Sequence, residues 1–135
     1  MRSLITIVVL AVSAGSVLTA QGQAAKPIDY ETFCKIPDAE SKRAAFMATT
    51  AENRGTLVRT QLERWRDANQ ARLDDKQKAS FEAIIKSITS VTYVDGPEGE
   101  ESRIKSRALM TEHERLFTRE DLMAMQPNAP CIAKK

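Results

Sequence analysis

The sequence has little of what most small enzymes require. Among its 135 residues it has one histidine, two cysteines, five glycines and only 5% aromatic residues. It contains no Cys-x-x-Cys pair, no zinc-ligand spacing and no glycine-rich phosphate loop. A glycosidase built on two distant carboxylates stays open, although the few aromatics make a sugar cleft a poor expectation. We therefore expect no catalytic site, no cofactor and no bound metal.

An excess of charge of one sign is also lacking. Twenty Lys and Arg face eighteen Asp and Glu, for a formal net charge of +2, and the two signs are interleaved along the chain. Strong electrostatic attraction to nucleic acid or to an anionic membrane needs a clustered basic surface. We expect neither as a partner.

The only long apolar run lies at the N-terminus. Arg2 precedes it, Leu4 to Leu18 is apolar or small, and small and polar residues follow. This arrangement is typical of a secretory signal peptide, and the run is shorter than the roughly 20 residues of a membrane span. We expect residues 1–22 to be removed, with the cleaved bond near residues 20–24; an uncleaved anchor is the alternative. The protein is then periplasmic or secreted, without a stable membrane anchor.

The two cysteines, Cys34 and Cys131, lie near opposite ends of the mature chain. In an oxidising compartment such a pair favours a disulfide. The chain-entropy model gives about 4.7 kcal/mol for closing a loop of this length. The alternatives are an intermolecular bridge and two free thiols. We expect a structural clasp, because neither a Cys-x-x-Cys pair nor a base beside a thiol is visible.

Helical periodicity dominates the region between the cysteines. Residues 23–37 contain two prolines and predict an extended lead-in. Asp38 then resembles an N-cap, and an apolar stripe at three- and four-residue steps predicts one long helix to about Arg72. Within this helix, Gly55 marks either a kink or a close approach of another backbone.

Two further helices and a short fourth complete the helical domain, residues 38–126, before a tail at 127–135. One helix starts at Leu73 and runs toward Val94, although its β-branched end is also compatible with a strand. A second helix covers residues 100–117, and Thr118 caps a short final helix. The predicted fold class is all-α with three or four helices: a long first helix, a helical hairpin and a short C-terminal helix, closed by one disulfide. The apolar stripe of the hairpin's first helix comprises Phe81, Ile84, Ile85, Ile88 and Val91.

The stretch Leu73-Asp74-Asp75-Lys76-Gln77 resembles the Leu-Thr-x-x-Gln motif of the Spy and CpxP family of small periplasmic helical proteins. Asp74 stands where the family has threonine, and the sequence has only one good copy of the motif. The resemblance implies an exported protein that binds unfolded clients on the concave face of a helical homodimer, or a stress-responsive adaptor. The alternative interpretation is a plain capping box between Asp74 and Gln77.

Candidate binding residues lie on a second row of the long helix. Phe46 and Leu57 either contact clients or a dimer partner, or pack against the lead-in or another helix. We predict an exported, non-catalytic binding protein, chaperone-like in its most concrete version. The alternative is an interaction module, a subunit or inhibitor that docks one dedicated partner protein through the Phe81 helix.

A copper site at His113, Met123 and Met125 is the remaining candidate. Side chains two positions apart on a helix point about 200° from each other, so one ion cannot easily bind both methionines. We expect the methionines in the core, and an exposed or capped histidine.

Overall fold

The computed structural model describes residues 26–134, so the predicted signal peptide lies outside the described residues. Within this range the chain forms six α-helices and no strand, which confirms the all-α fold class. The helix number exceeds the predicted three or four. In chain order the helices are α1 Tyr30–Cys34, α2 Ala39–Ala48, α3 Ala51–Asn69, α4 Asp75–Ser87, α5 Pro97–Glu114 and α6 Arg119–Ala124, with a 3-10 turn, Gln70–Arg72, after α3.

The lead-in contains a helix, so the prediction of an extended segment over residues 23–37 is wrong for α1. Asp29 caps this helix: its carboxylate accepts hydrogen bonds from the backbone N–H and the hydroxyl of Thr32, both at 2.8 Å. Tyr30 and Phe33 are the buried residues of α1. Burial of these two aromatic side chains stabilises a helix that is too short to be stable alone.

The predicted long helix is two helices, and the break lies at Thr49 and Thr50 rather than at Gly55. Both threonines have extended backbone, and the Thr50 hydroxyl accepts from the N–H of Asn53 at 3.1 Å, as an N-cap does. Arg54 caps the C-terminal end of α2, because its guanidinium donates hydrogen bonds to the backbone carbonyls of residues 46, 47 and 49. Side chains therefore satisfy the free backbone groups on both sides of the break.

Gly55 lies inside the uninterrupted helix α3, where it serves a close approach. A β-carbon at this position would lie 3.0 Å from the carbonyl oxygen of Thr89. Of the two predicted roles for Gly55, the structure confirms the close approach of another backbone. The glycine allows the loop after α4 to pack directly on α3.

Helix α4 begins as predicted but ends earlier. Asp74 and Gln77 form a complete capping box, with bonds of 2.8 and 2.9 Å. The helix ends at Ser87, so the prediction of helix or strand toward Val94 is wrong. The Thr92 hydroxyl accepts from the N–H of Thr89 at 2.8 Å, and this local bond replaces the helical one.

The observed bounds of α5 differ by a few residues from the predicted ones, and the start of α6 agrees with the prediction. Helix α5 starts at Pro97, where a missing N–H costs nothing, and it stops at Glu114 rather than at 117. Helix α6 begins as predicted, because the Thr118 hydroxyl accepts from the N–H of Asp121 at 3.2 Å.

The hydrophobic interior has two parts, which we call the main core and the N-terminal core. The main core surrounds Phe81, which is fully buried and stacks on Trp65 with ring centroids 5.5 Å apart. The N-terminal core contains Leu57 and the two buried aromatics of α1. Gln61, fully buried, lies between them, hydrogen-bonded to the Tyr30 hydroxyl and donating to the Ala124 carbonyl at 2.9 Å. The main core comprises Leu62, Trp65, Leu73, Phe81, Ile84, Ile88 and Met125.

The capping box of α4 gives a first testable prediction. Replacing Asp74 by Ala should lower the free energy of unfolding by about 1 kcal/mol, because the N–H of Gln77 loses its acceptor. Urea unfolding followed by circular dichroism measures this change. Asp75→Ala, one residue inside the helix, is the matched control and should cost less than half as much. Equal losses for the two variants would show that the charge, and not the cap, is what matters.

Candidate functional site

The two predicted binding residues, Phe46 and Leu57, do not share a surface. Leu57 is 2% exposed and packs in the N-terminal core with Tyr30 and Phe33. Burial against the lead-in was one of the two expectations for Leu57, and it leaves no area for a client to contact. Phe46 is half-buried, with its ring edge-on to Tyr93 at a centroid distance of 6.1 Å.

Phe46 lines a groove between α2 and the C-terminal tail. The groove has a volume of about 440 Å³, and its walls are mainly apolar. Met47 borders it and is 61% exposed. Arg43 lies at the rim, and no carboxylate in residues 26–134 lies within ion-pair distance of it. We call this site the Phe46 groove; its lining residues are Arg43, Phe46, Met47, Gln126, Pro127 and Asn128.

Local sequence patterns do not identify Met47 and Arg43 as groove residues. If the helix from Asp38 to Arg72 were continuous, the spacing of Met47, Val58 and Leu62 would place all three on one inward stripe. Because the chain breaks at Thr49 and Thr50, α2 does not continue the rotation of α3, and Met47 faces outward. The tail side of the groove comes from residues about 80 positions away, which no local pattern reveals.

The Phe81 helix offers less surface than its predicted docking role requires. The side chains of Phe81 and Ile84 are at most 1% exposed, because they fill the main core against α3 and α5. A partner cannot contact Phe81 or Ile84 in the folded protein, whereas Ile85 and Val91, on the same stripe, are half-buried. Docking of a dedicated partner through the Phe81 helix stays a prediction, and it would involve residues other than Phe81 and Ile84.

The two cysteine sulfurs lie at bonding distance, 2.16 Å, with Cα atoms 5.6 Å apart. The predicted intramolecular disulfide between Cys34 and Cys131 is confirmed. Two polar contacts hold the tail beside it: Arg64 donates to the Ile132 carbonyl at 3.3 Å, and the Ile132 N–H donates to the Tyr30 hydroxyl at 3.4 Å. Together with the disulfide, these contacts fix the tail across the N-terminal core.

Lys42 is a buried polar residue with no local signal of burial in the sequence. It is 6% exposed, and its ammonium group donates to the Ala129 carbonyl at 3.3 Å and lies 3.8 Å from the Cys131 sulfur. The tail that covers it is 87 to 89 residues away in the chain. Local periodicity on α2 therefore carries no signal for its burial.

His113 is fully buried, so the expectation of an exposed or capped histidine is wrong. Its Nδ1 lies 2.7 Å from the Ser80 hydroxyl and its Nε2 lies 3.4 Å from the sulfur of Met125. Met125 is in the core as expected, whereas Met123 is 61% exposed. Burial lowers the pKa of His113 to about 4, so the ring is neutral near pH 7.

Surface charges near these sites form ordinary ion pairs. Arg72 and Asp121 pair at 2.8 Å, and the pair lowers the pKa of the Asp121 carboxyl. Arg64 binds Glu31 at 2.8 Å and stacks over Tyr30. Such exposed pairs each contribute little to stability.

Two surveys of residues 26–134 were negative. No group of three or more His, Cys, Asp or Glu side chains is arranged to hold a metal ion. None of the helices in this part of the chain combines the length and the apolar character of a membrane span. Comparison with known proteins found no matching family model, no matching curated protein and no matching solved structure.

Proposed function

We propose that this protein is an exported, non-catalytic binding protein that takes an apolar side chain of a dedicated protein partner into the Phe46 groove. The observation that carries the proposal is the groove itself: an apolar concavity of about 440 Å³ bordered by a methionine that is 61% exposed. Exposed large apolar side chains that border a concave site are typical of protein-interaction surfaces. Export follows from the predicted signal peptide and agrees with the disulfide.

The chemistry of the groove defines the partner segment. Phe46, which lines the groove and packs against the N-terminal core, contributes aromatic surface, and Met47 contributes a flexible thioether side chain that adapts to different shapes. Arg43 at the rim favours a carboxylate next to the inserted side chain. The proposed ligand is therefore a short segment with one large apolar residue beside an Asp or Glu.

A chaperone-like role is the second candidate, in line with the resemblance to the Spy and CpxP family. It is favoured by apolar side chains exposed outside the groove, namely Val94, Ile104 and Met123. Scattered contacts of this kind bind many unfolded chains weakly. The stretch of the resemblance forms the capping box of α4, so its residues have a structural role whichever function holds.

Selection from a library of displayed linear peptides tests the groove directly. Binders should share a large apolar residue next to a carboxylate, and calorimetry should show them bound about tenfold more weakly by a Met47→Gln variant. The reason is that burial of a methionine contributes about 1.5 to 3 kcal/mol, and 1.4 kcal/mol corresponds to a factor of ten. Met123→Gln is the matched control, because the two methionines are equally exposed and Met123 does not line the groove.

Two results would contradict the groove as the binding site. One is a library without enriched sequences, and the other is a set of peptides that binds the Met47→Gln variant as tightly as the wild-type protein. Suppression of the aggregation of several unrelated unfolded proteins, equally affected by Met47→Gln and Met123→Gln, would support the chaperone-like role instead.

A further inference from the structure

The ammonium group of Lys42 lies buried beside the disulfide without an acidic partner. Its contacts are the Ala129 carbonyl at 3.3 Å, the Cys131 sulfur at 3.8 Å and the Phe33 ring at 6.0 Å from the centroid. No carboxylate in the described part of the chain lies within 4.0 Å of it. A buried charge normally has an ionic partner, because removing it from water is costly. The hydrogen bond to the Ala129 carbonyl offsets only part of this cost.

The disulfide also borders an open cavity. A concavity of about 380 Å³ is lined by both cysteines, by Lys42 and by the exposed Lys35. Asp38, also on its wall, accepts hydrogen bonds from the N–H and the hydroxyl of Ser41. A thiol or disulfide of the size of a tripeptide can therefore reach the sulfurs without unfolding the domain.

From the cation and the cavity together we infer that Cys131 is the sulfur through which this protein exchanges disulfides, with Lys42 as the positioning residue that stabilises its thiolate. The thiolate is the reactive form of cysteine, and a cation in direct contact favours it most, because the attraction weakens with distance. The Cys34 sulfur, which is bonded to that of Cys131, also lies within about 6 Å of the Lys42 ammonium group, but no Lys or Arg side chain in residues 26–134 donates a hydrogen bond to it. The thiolate of Cys131 is thus more stable than that of Cys34. The co-reactant is a disulfide, either of a small molecule or of another protein.

The exchange proceeds in two balanced steps. In the reduced protein the Cys131 thiolate attacks one sulfur of the external disulfide; a mixed disulfide forms and the other external sulfur leaves as a thiolate. The Cys34 thiolate then attacks the Cys131 sulfur, which closes the internal disulfide and expels the second external thiolate. Two protein thiols are oxidised and one external disulfide is reduced to two thiols, whose protons come from the cysteines. The inference does not depend on the Phe46 groove.

Alkylation of the reduced wild-type protein compares both cysteines within one molecule. The protein is reduced, pulsed with iodoacetamide between pH 5 and pH 9, digested, and the labelled fraction of each cysteine is determined by mass spectrometry. Cys131 should reach half of its maximal rate at a lower pH than Cys34 and should react about tenfold faster near pH 6.5. The cation beside Cys131 raises the fraction of this cysteine that is thiolate at this pH, and the lower nucleophilicity of a more acidic thiolate offsets only part of that gain.

In the variant Lys42→Met, alkylation of Cys131 should reach half of its maximal rate at the same pH as alkylation of Cys34. In Lys42→Arg, which keeps the positive charge, this pH should stay below that of Cys34. Lys35→Met, which removes an exposed cation from the same cavity, is the control and should change neither cysteine. A pulse of oxidised glutathione should form its mixed disulfide mainly at Cys131.

Equal pH profiles of alkylation for the two cysteines in the wild-type protein would overturn the inference, and so would a profile of Cys131 that Lys42→Met leaves unchanged. If reduction itself unfolds the domain, the two profiles coincide, and that result also refutes it.

Discussion

Replacing Cys34 and Cys131 by serine is expected to lower the free energy of unfolding by up to about 4.7 kcal/mol, the largest effect of any change considered for this chain. The bond closes a loop with a sequence separation of 97 residues, so its loss returns a large conformational entropy to the unfolded chain. A domain of this size has a total stability of roughly 5 to 15 kcal/mol. The double variant should therefore unfold at a much lower urea concentration, or be partly unfolded at 37 °C.

Reduction of the wild-type protein is the control for the double variant. Chemical reduction breaks the bond without changing a side chain, so the reduced protein and the serine variant should lose the same stability within about 1 kcal/mol. A loss below 1 kcal/mol in both would mean that the tail is held by its other contacts. Those contacts are the hydrogen bonds that Arg64 and Tyr30 form with Ile132 and the one that Lys42 donates to the Ala129 carbonyl. The chain-entropy account of the disulfide would then be wrong for this protein.

Local signals in the sequence were sufficient for three of the N-caps and for the centre of the main core. The N-caps Asp38, Asp74 and Thr118 are all present in the structure. Each depends on hydrogen bonds within three residues, so its pattern is complete in the sequence. Phe81 and Ile84 are buried as their helical spacing predicted, because a strongly apolar stripe determines which face of a helix meets the core.

The break at Thr49 and Thr50 could not be predicted from the same kind of pattern. Thr49 donates its hydroxyl hydrogen bond to the Lys26 carbonyl at 3.0 Å, 23 residues away. Arg54 satisfies the end of α2 from the following helix. The Thr49 contact exists only once the lead-in has folded back, and together with the contacts of Arg54 it stabilises a break where intrinsic helix preference would continue. The orientation of Met47, and with it the Phe46 groove, depends on this break.

Long-range contacts also explain why local patterns could not establish the burial of Lys42 and His113. Lys42 is covered by the tail, and His113 is enclosed by α4 and by the segment after α6. Lysine is rarely buried and histidine is intermediate, so residue type alone does not place either of them in the interior. The disulfide is also a long-range contact, but it could be predicted, because two cysteines allow only one intramolecular pairing.

Acidification is expected to destabilise the folded protein through His113, by about 3 kcal/mol between pH 6.5 and pH 4. Burial lowers the pKa of His113 from 6.5 to about 4 in the folded state, and each unit of difference corresponds to 1.36 kcal/mol. Above pH 6.5 the ring is neutral in both states, so the full stability is present. Between pH 6.5 and pH 4 only the unfolded chain takes up the proton, and stability falls; below pH 4 the loss is complete.

The environment of His113 explains why its cation is disfavoured. The ring lies against Phe81 and Phe117, with centroid distances of 4.7 and 4.4 Å, and its nitrogens face the Ser80 hydroxyl and the Met125 sulfur. None of these four neighbours carries a negative charge that would stabilise an imidazolium. Loss of water is accordingly the cause of the shift.

Urea unfolding at pH 7.0, 6.0, 5.0 and 4.5 measures the effect, with His113→Gln as the matched variant. The variant is expected to be less stable at pH 7, because a fully buried ring is lost, but its stability should change much less with pH. The difference between the two proteins isolates His113 from the other titrating groups. Asp29, Asp38 and Asp121, whose pKa values are lowered from 3.8, lose their contributions mainly below that pH, and both proteins carry the same three groups. Parallel pH curves for the wild-type protein and the variant would show that His113 accepts a proton as readily in the folded state as in the unfolded chain, and that its surroundings are open to water.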